Sequence, residues 1–130
     1  MARGEAVIVA GIGCRAGCEA AGIVALVARA AVLAGCRVDV LAAPRFKMDE
    51  AAVAAAARLL DVAMVWVEPD ALVSVQARCV TRSARVAAAV GVASVAEGCA
   101  LAVAGARGRL VLARIAGDGA TCALARGEAS

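Results

Sequence analysis

The sequence predicts an α/β protein, a three-layer α/β/α sandwich with a mixed sheet, in which parallel β-α-β units are followed by a C-terminal β-hairpin. Short β-branched runs alternate with longer stretches of helical period, with no linker, repeat or low-complexity break between them. Toward the C-terminus the alternation gives way to two strand-like runs about Gly117-Asp118-Gly119, which is a hairpin signal. The length of 130 residues suits one domain, residues 1–130, with one core. That core must come from 38 Ala and 20 Val, with one Phe, one Trp and no Tyr. Such residues gain little each, so the helices must approach the sheet closely.

The elements follow in order. Ala6–Ala10 reads as a central strand that ends at Gly11-Ile12-Gly13, and a helix is expected from about Gly17 to Ala34. Its apolar stripe is Ile23, Leu26, Val27, Ala30 and Leu33, and Gly35 is its expected stop. Arg37–Ala42 is the second strand, closed by Pro44. Asp49 is placed to cap a helix over Glu50–Leu60, with Glu50 in its first turn. Val62–Val67 is the third strand, and a short helix near Asp70–Val75 follows Glu68-Pro69. Ser83 is expected to cap Ala84–Val90. Ser94 and Glu97 form a capping box for Val95–Ala104, which stops at Gly105. Arg109–Ile115 and Ala120–Ala125 make the hairpin, and Met48, Met64 and Trp66 read as core.

Several function classes are excluded by composition. Histidine is absent, which removes His-based triads and most zinc and haem sites; no metal or other cofactor is expected. A net charge of +3 and so few aromatic residues leave neither a basic surface nor a stacking platform for nucleic acid. The longest stretch free of charge, Val86–Ala96, is far short of the roughly 20 residues that cross a bilayer, so no membrane partner and a cytoplasmic location are expected. Ala6–Cys14 has the length of a signal-peptide core, but its β-branched character and its run into Gly-x-Gly favour a buried strand. The six cysteines include no C-x-x-C pair and read as small buried hydrophobes. Cys14 is the exception, because it sits beside Arg15 in the glycine segment.

Gly11-Ile12-Gly13-Cys14-Arg15-Ala16 satisfies G-x-G-x-x-[GA] between a strand and a helix, with Asp39 downstream as a candidate ribose ligand. Asp39 falls inside the expected second strand rather than at its carboxyl end, so a nucleotide-binding module is the weaker reading. A more general one is an anion cradle of backbone amides at the turn, with Arg15 as a two-pronged carboxylate donor. The plain structural alternative is a tight turn beside a solvated Arg15.

The same segment, Gly11-Ile12-Gly13-Cys14-Arg15-Ala16-Gly17, resembles the G-I-G-C-R-x-G signature of the CobE proteins and of the CbiG C-terminal domain, both of cobalamin biosynthesis. The resemblance continues in order through Lys47-Met48-Asp49-Glu50, Thr81-Arg82-Ser83 with Val86, and the block from Gly91 to Leu101. It ends in a hairpin pattern at Leu110, Arg114, Ala120-Thr121 and Ala123, so that it covers nearly the whole chain. Ala16 stands where the family usually has a second Arg. The chain is most similar to stand-alone CobE.

The resemblance implies a corrinoid ligand, a precorrin intermediate rimmed by carboxylates, and an auxiliary or carrier role beside other cobalamin-pathway enzymes. Gly11, Gly13, Cys14, Arg15 and Gly17 would take one carboxylate, and Lys47 and Arg114 others. Its enzyme alternative is a small hydrolase or lyase acting on a precorrin, as in the ring-opening cobalt-precorrin hydrolase CbiG. In that case Cys14, Asp49 and Glu50 are the candidate catalytic residues. Helix capping explains Asp49, Glu50, Ser83, Ser94 and Glu97 without any catalytic role.

Overall fold

β-Branched residues at Val7, Ile8, Val9 and Ile12 extend the chain into a first strand, β1 (Ala6–Cys14). In the computed structural model, which describes residues 6–80, 95–117 and 119–128, this strand does not stop at the glycines. It runs through Gly11-Ile12-Gly13, which corrects the expected turn there; the turn itself lies over Arg15–Cys18, where the Cys18 N–H donates to the Arg15 carbonyl at 3.2 Å. The first helix, α1 (Ala20–Ala34), therefore begins three residues later than expected, and it ends where Gly35 turns left-handed at φ 68°.

β2 (Val40–Pro44) starts after Asp39 rather than at Arg37. Asp39 closes the sheet's lower end in both directions. Its N–H donates to the Ile8 carbonyl, and its carboxylate accepts the Ile8 N–H, each at 2.9 Å. A single 3-10 turn, Arg45–Lys47, leads to α2 (Ala51–Leu60). Glu50, not Asp49, occupies the capping position, and it makes no side-chain cap bond. β3 (Ala63–Val67) and α3 (Pro69–Val75) follow, the latter with proline in its first turn and a 3-10 extension over Gln76–Arg78. The Ser83 helix and the Ser94 half of the capping box lie outside the described residues. α4 (Val95–Ala104) leads into the hairpin of β4 (Arg109–Gly117) and β5 (Ala120–Glu128).

The five strands form one mixed sheet in the order β3-β2-β1-β5-β4. β1, β2 and β3 are parallel, as β-α-β units require, whereas β5 returns antiparallel along the whole of β1, from Ala6↔Glu128 to Cys14↔Ala120. Alternation of side chains divides the core between the faces. Ile8, Ala10 and Ile12 pack under α1 and α2 with Ile23, Val27 and Val53. Val9, Ala42 and Val67 face α3 and α4 with Leu72 and Cys99.

On the second face the close approach demanded by an Ala-rich core is visible in atoms. A Cβ on Gly11 would fall on the Ala96 carbonyl oxygen and 2.6 Å from the Ala100 nitrogen, and one on Gly127 would meet the Ala104 carbonyl. Ala96, Ala100 and Ala104 recur every fourth residue, so the row of α4 that meets Gly11 and Gly127 carries only methyl groups.

Two expected core residues are at the surface. Leu33 is 59% exposed in the last turn of α1, and Met48 is 47% exposed in the loop after β2. Met64 and Trp66 are half-buried against the α1–α2 core. No helix among the described residues is long and apolar enough to cross a membrane.

Candidate functional site

Parallel strands deliver their following loops to one edge of a sheet, here the end marked by Cys14 of β1 and Pro44 of β2. Because β5 is antiparallel to β1, the β4–β5 turn comes to the same edge, and so does the first turn of α4. Between them lies a cleft of about 370 Å³. Arg15, Lys47 and Arg114 line it together with Cys14, Phe46 and Thr121. Three cations from three distant stretches of chain thus meet at one cavity whose remaining wall is largely apolar.

Each is placed by local chemistry. The Arg15 N–H donates to the Gly119 carbonyl at 2.9 Å, which prolongs the β1–β5 ladder one step beyond Cys14 and fixes where the guanidinium leaves the chain. Gly119, at φ 74°, occupies the left-handed region of the hairpin turn; a Cβ there would lie 3.4 Å from Arg15 Cγ, so the arginine stem runs along the turn. Lys47 ends the 3-10 turn after β2. Arg45, two residues earlier, instead pairs with Glu68 at 2.9 Å; with both side chains exposed, the pair contributes about 0–1 kcal/mol.

Arg114 depends on an irregularity. β4 carries two register shifts against β5, one between Leu110 and Leu112 and one between Leu112 and Ile115. At the second, Ala113 and Arg114 together oppose Ala123, so the ladder leaves a backbone amide over. Glu97 Oε2 accepts the Arg114 N–H at 2.9 Å, and its Oε1 accepts the Val80 N–H at 2.8 Å. Glu97 is completely buried in the first turn of α4. An unbonded amide at such a depth would cost about 1–3 kcal/mol, which these bonds avoid.

The expected cradle of glycine amides is not assembled. Gly11 is buried in the middle of β1, paired to both neighbouring strands, and does not line the cleft. Gly17 lies outside the cleft too, with its N–H directed to Glu50 Oε2 at 3.4 Å. Gly13 does reach the wall, where a Cβ would stand 2.7 Å from Thr121 Oγ1. Asp49 is exposed and does not line the cleft, whereas Glu50 is bound to the turn beside it. Asp39 lies at the opposite end of the sheet, which removes it as a ribose ligand.

The chemistry at Cys14 is that of a protonated thiol. Burial, then a hydrogen bond with Cys18, pushes its pKa up to about 12, against a weaker opposing pull from Lys47. A thiol held this way is a poor nucleophile at neutral pH. Phe46 is a wall residue that sequence reasoning missed. It is 47% exposed, and its one signal is the position of the chain's single Phe between Arg45 and Lys47. No cluster that could hold a metal ion occurs among the described residues.

Residues 8–125 match the protein family described as "Cobalamin synthesis G C-terminus". No curated protein matches the chain. Among solved structures, it is similar to CobE, a protein from the cobalamin (vitamin B12) biosynthetic pathway, with 34% identity, a TM-score of 0.89, and coverage of 98% of this chain and 96% of that one. It is also similar to the cobalamin biosynthesis protein chiG from Agrobacterium tumefaciens str. C58, with 40% identity, a TM-score of 0.75, and coverage of 92% and 97%.

Proposed function

This chain belongs to the cobalamin synthesis G C-terminus family and is a protein of the cobalamin pathway, and on that premise we propose that it binds a carboxylate-rich corrinoid intermediate as an auxiliary or carrier protein. The observation that carries this reading is the convergence of Arg15, Lys47 and Arg114 on one cleft with an apolar wall. Corrinoid precursors are broad, largely apolar rings edged with acetates and propionates. Two guanidiniums and an ammonium at the rim suit the carboxylates, and each charge-assisted pair is worth about 1.5–3 kcal/mol. Phe46 and the small residues of the hairpin turn offer the ring edge an apolar surface.

The carrier role is favoured over a hydrolase by the state of Cys14. Its protonated thiol lacks the imidazole that would activate it, Asp49 does not line the cleft, and the Glu50 carboxylate is engaged with the Gly17 N–H. One experiment separates the two. The protein is purified from cells that accumulate precorrins, and its visible spectrum is recorded while the supernatant is assayed for changed product. A co-purifying chromophore, released unchanged on denaturation, is the expected result. Turnover with release of acetaldehyde would replace the carrier with an enzyme, and a colourless protein that binds no precorrin would remove the ligand class.

A further inference from the structure

We infer that Glu97 is a positioning residue, whose buried carboxylate holds the β4 bulge that aims Arg114 into the cleft. The inference rests on the corrinoid-binding reading for its functional meaning, but its geometry stands on three observations.

The first is the direction of the strand. Leu112 and Ile115 both pack against the α1–α2 core, although they are three residues apart. In a regular strand a separation of three places side chains on opposite faces. Only the extra residue of the bulge returns Ile115 to the α1–α2 face, and the same extra residue leaves Arg114 on the α4 side. The first register shift has already turned Leu112 under α1, so loss of the second alone would put Arg114 on that same face. The second is the bond itself, from the Arg114 N–H to Glu97 Oε2 at 2.9 Å, which gives the displaced amide a partner that the β5 ladder does not supply. The third is burial. Glu97 is the one fully buried charged side chain among the described residues, and it comes from the helix whose first residue, Val95, lines the same cleft. By also accepting the Val80 N–H at 2.8 Å, it ties β4, α4 and the end of the α3 segment at a single point.

A merely structural Glu97 would stabilise the fold and leave the affinity of each folded molecule alone. A positioning Glu97 acts through Arg114 specifically. The test uses the full chain and uroporphyrin III, an octacarboxylate tetrapyrrole, as probe. Arg114→Ala should weaken its binding about tenfold, the loss of one charge-assisted pair, and Glu97→Gln should weaken it severalfold. In the double variant the two losses should not multiply: Glu97→Gln in the Arg114→Ala background should change affinity little, whereas with Arg15→Ala its effect should multiply. A ligand-free measurement accompanies it. In the NMR spectrum, the Arg114 Nε–Hε group should become more mobile in Glu97→Gln while that of Arg15 is unaffected.

Losses that multiply equally with Arg114→Ala and Arg15→Ala, or an Arg114 side chain indifferent to Glu97, overturn the inference. If wild-type protein ignores uroporphyrin, the binding reading fails for this class and the NMR comparison decides the inference by itself. Should Glu97→Gln not fold, Glu97→Asp, one methylene shorter, replaces it. Hydrogen exchange in the wild type then gives a third reading, with the Arg114 amide expected to be as protected as its ladder neighbours. Rapid exchange there would mean that no carboxylate holds it.

Discussion

Gly11 sets the distance between α4 and the sheet. Its hydrogen leaves room for the Ala96 carbonyl, so Gly11→Ala inserts a methyl group where backbone already stands. We expect a loss of about 2–3 kcal/mol or more in urea unfolding, at the upper end of overpacking effects because a backbone cannot swing aside. A loss below that of an ordinary surface substitution would mean that α4 can retreat. Arg15 should behave in the opposite way. It is exposed, so Arg15→Ala should leave the melting temperature nearly unchanged, yet weaken binding of a carboxylate-rich tetrapyrrole about tenfold, with Arg15→Lys restoring part of it. Calorimetry and a binding titration on the same sample check both halves. The two residues sit four positions apart in one motif, and their roles are packing and recognition respectively.

The ends of the helices offer two tests of opposite sign. α2 stops at Asp61, which holds a left-handed φ of 57°, the one non-glycine to do so among the described residues. Glycine adopts that conformation without steric cost, so Asp61→Gly should stabilise the protein by about 0.5–1 kcal/mol despite its greater freedom when unfolded. A decrease in the denaturation midpoint would show that the Asp61 side chain contributes more than its backbone costs. α4 ends under Arg78, whose guanidinium donates to the Gly105 and Gly108 carbonyls beyond the last turn. Arg78→Ala leaves both acceptors without that donor and should cost about 1–3 kcal/mol, seen as a lower midpoint with an unchanged slope.

For the molecule as a whole, the cysteines set the alkaline limit. Burial raises the thiols of Cys14 and Cys122 to about 12 and also pushes Cys99 and Cys36 upward, whereas each would titrate near 9.0 in an unfolded chain. Between those values the folded state holds protons that the unfolded state has released. The stability from these groups is therefore complete below pH 9.0 and falls as pH rises toward about 12. Unfolding free energy measured across that window should decline, and Cys122→Ala should decline less steeply after its own cavity cost is subtracted. A flat profile would mean that the thiols are hydrated in the fold.

The alternation of β-branched runs with helical stretches was sufficient to foresee the mixed sheet, its parallel half and the C-terminal hairpin, because side-chain periodicity is a local property of the chain. So was the need for close helix–sheet contact, which follows from a core of Ala and Val. The glycine segment between a strand and a helix marked Cys14 and Arg15 locally, whereas Lys47 and Arg114 were reached through the family resemblance. Tertiary structure decided the rest. Gly11-Ile12-Gly13 has the spacing of a turn, yet it is strand, because β5 pairs with it from 108 residues or more away and α4 needs its empty face. Glu97 satisfies a capping pattern in sequence, and its carboxylate also accepts the Val80 and Arg114 N–H groups, which only the tertiary fold brings near. A bulge is a relation between two strands, so no reading of β4 alone could show that its register shifts twice, turning Leu112 under α1 and leaving an Arg114 amide for Glu97 to hold.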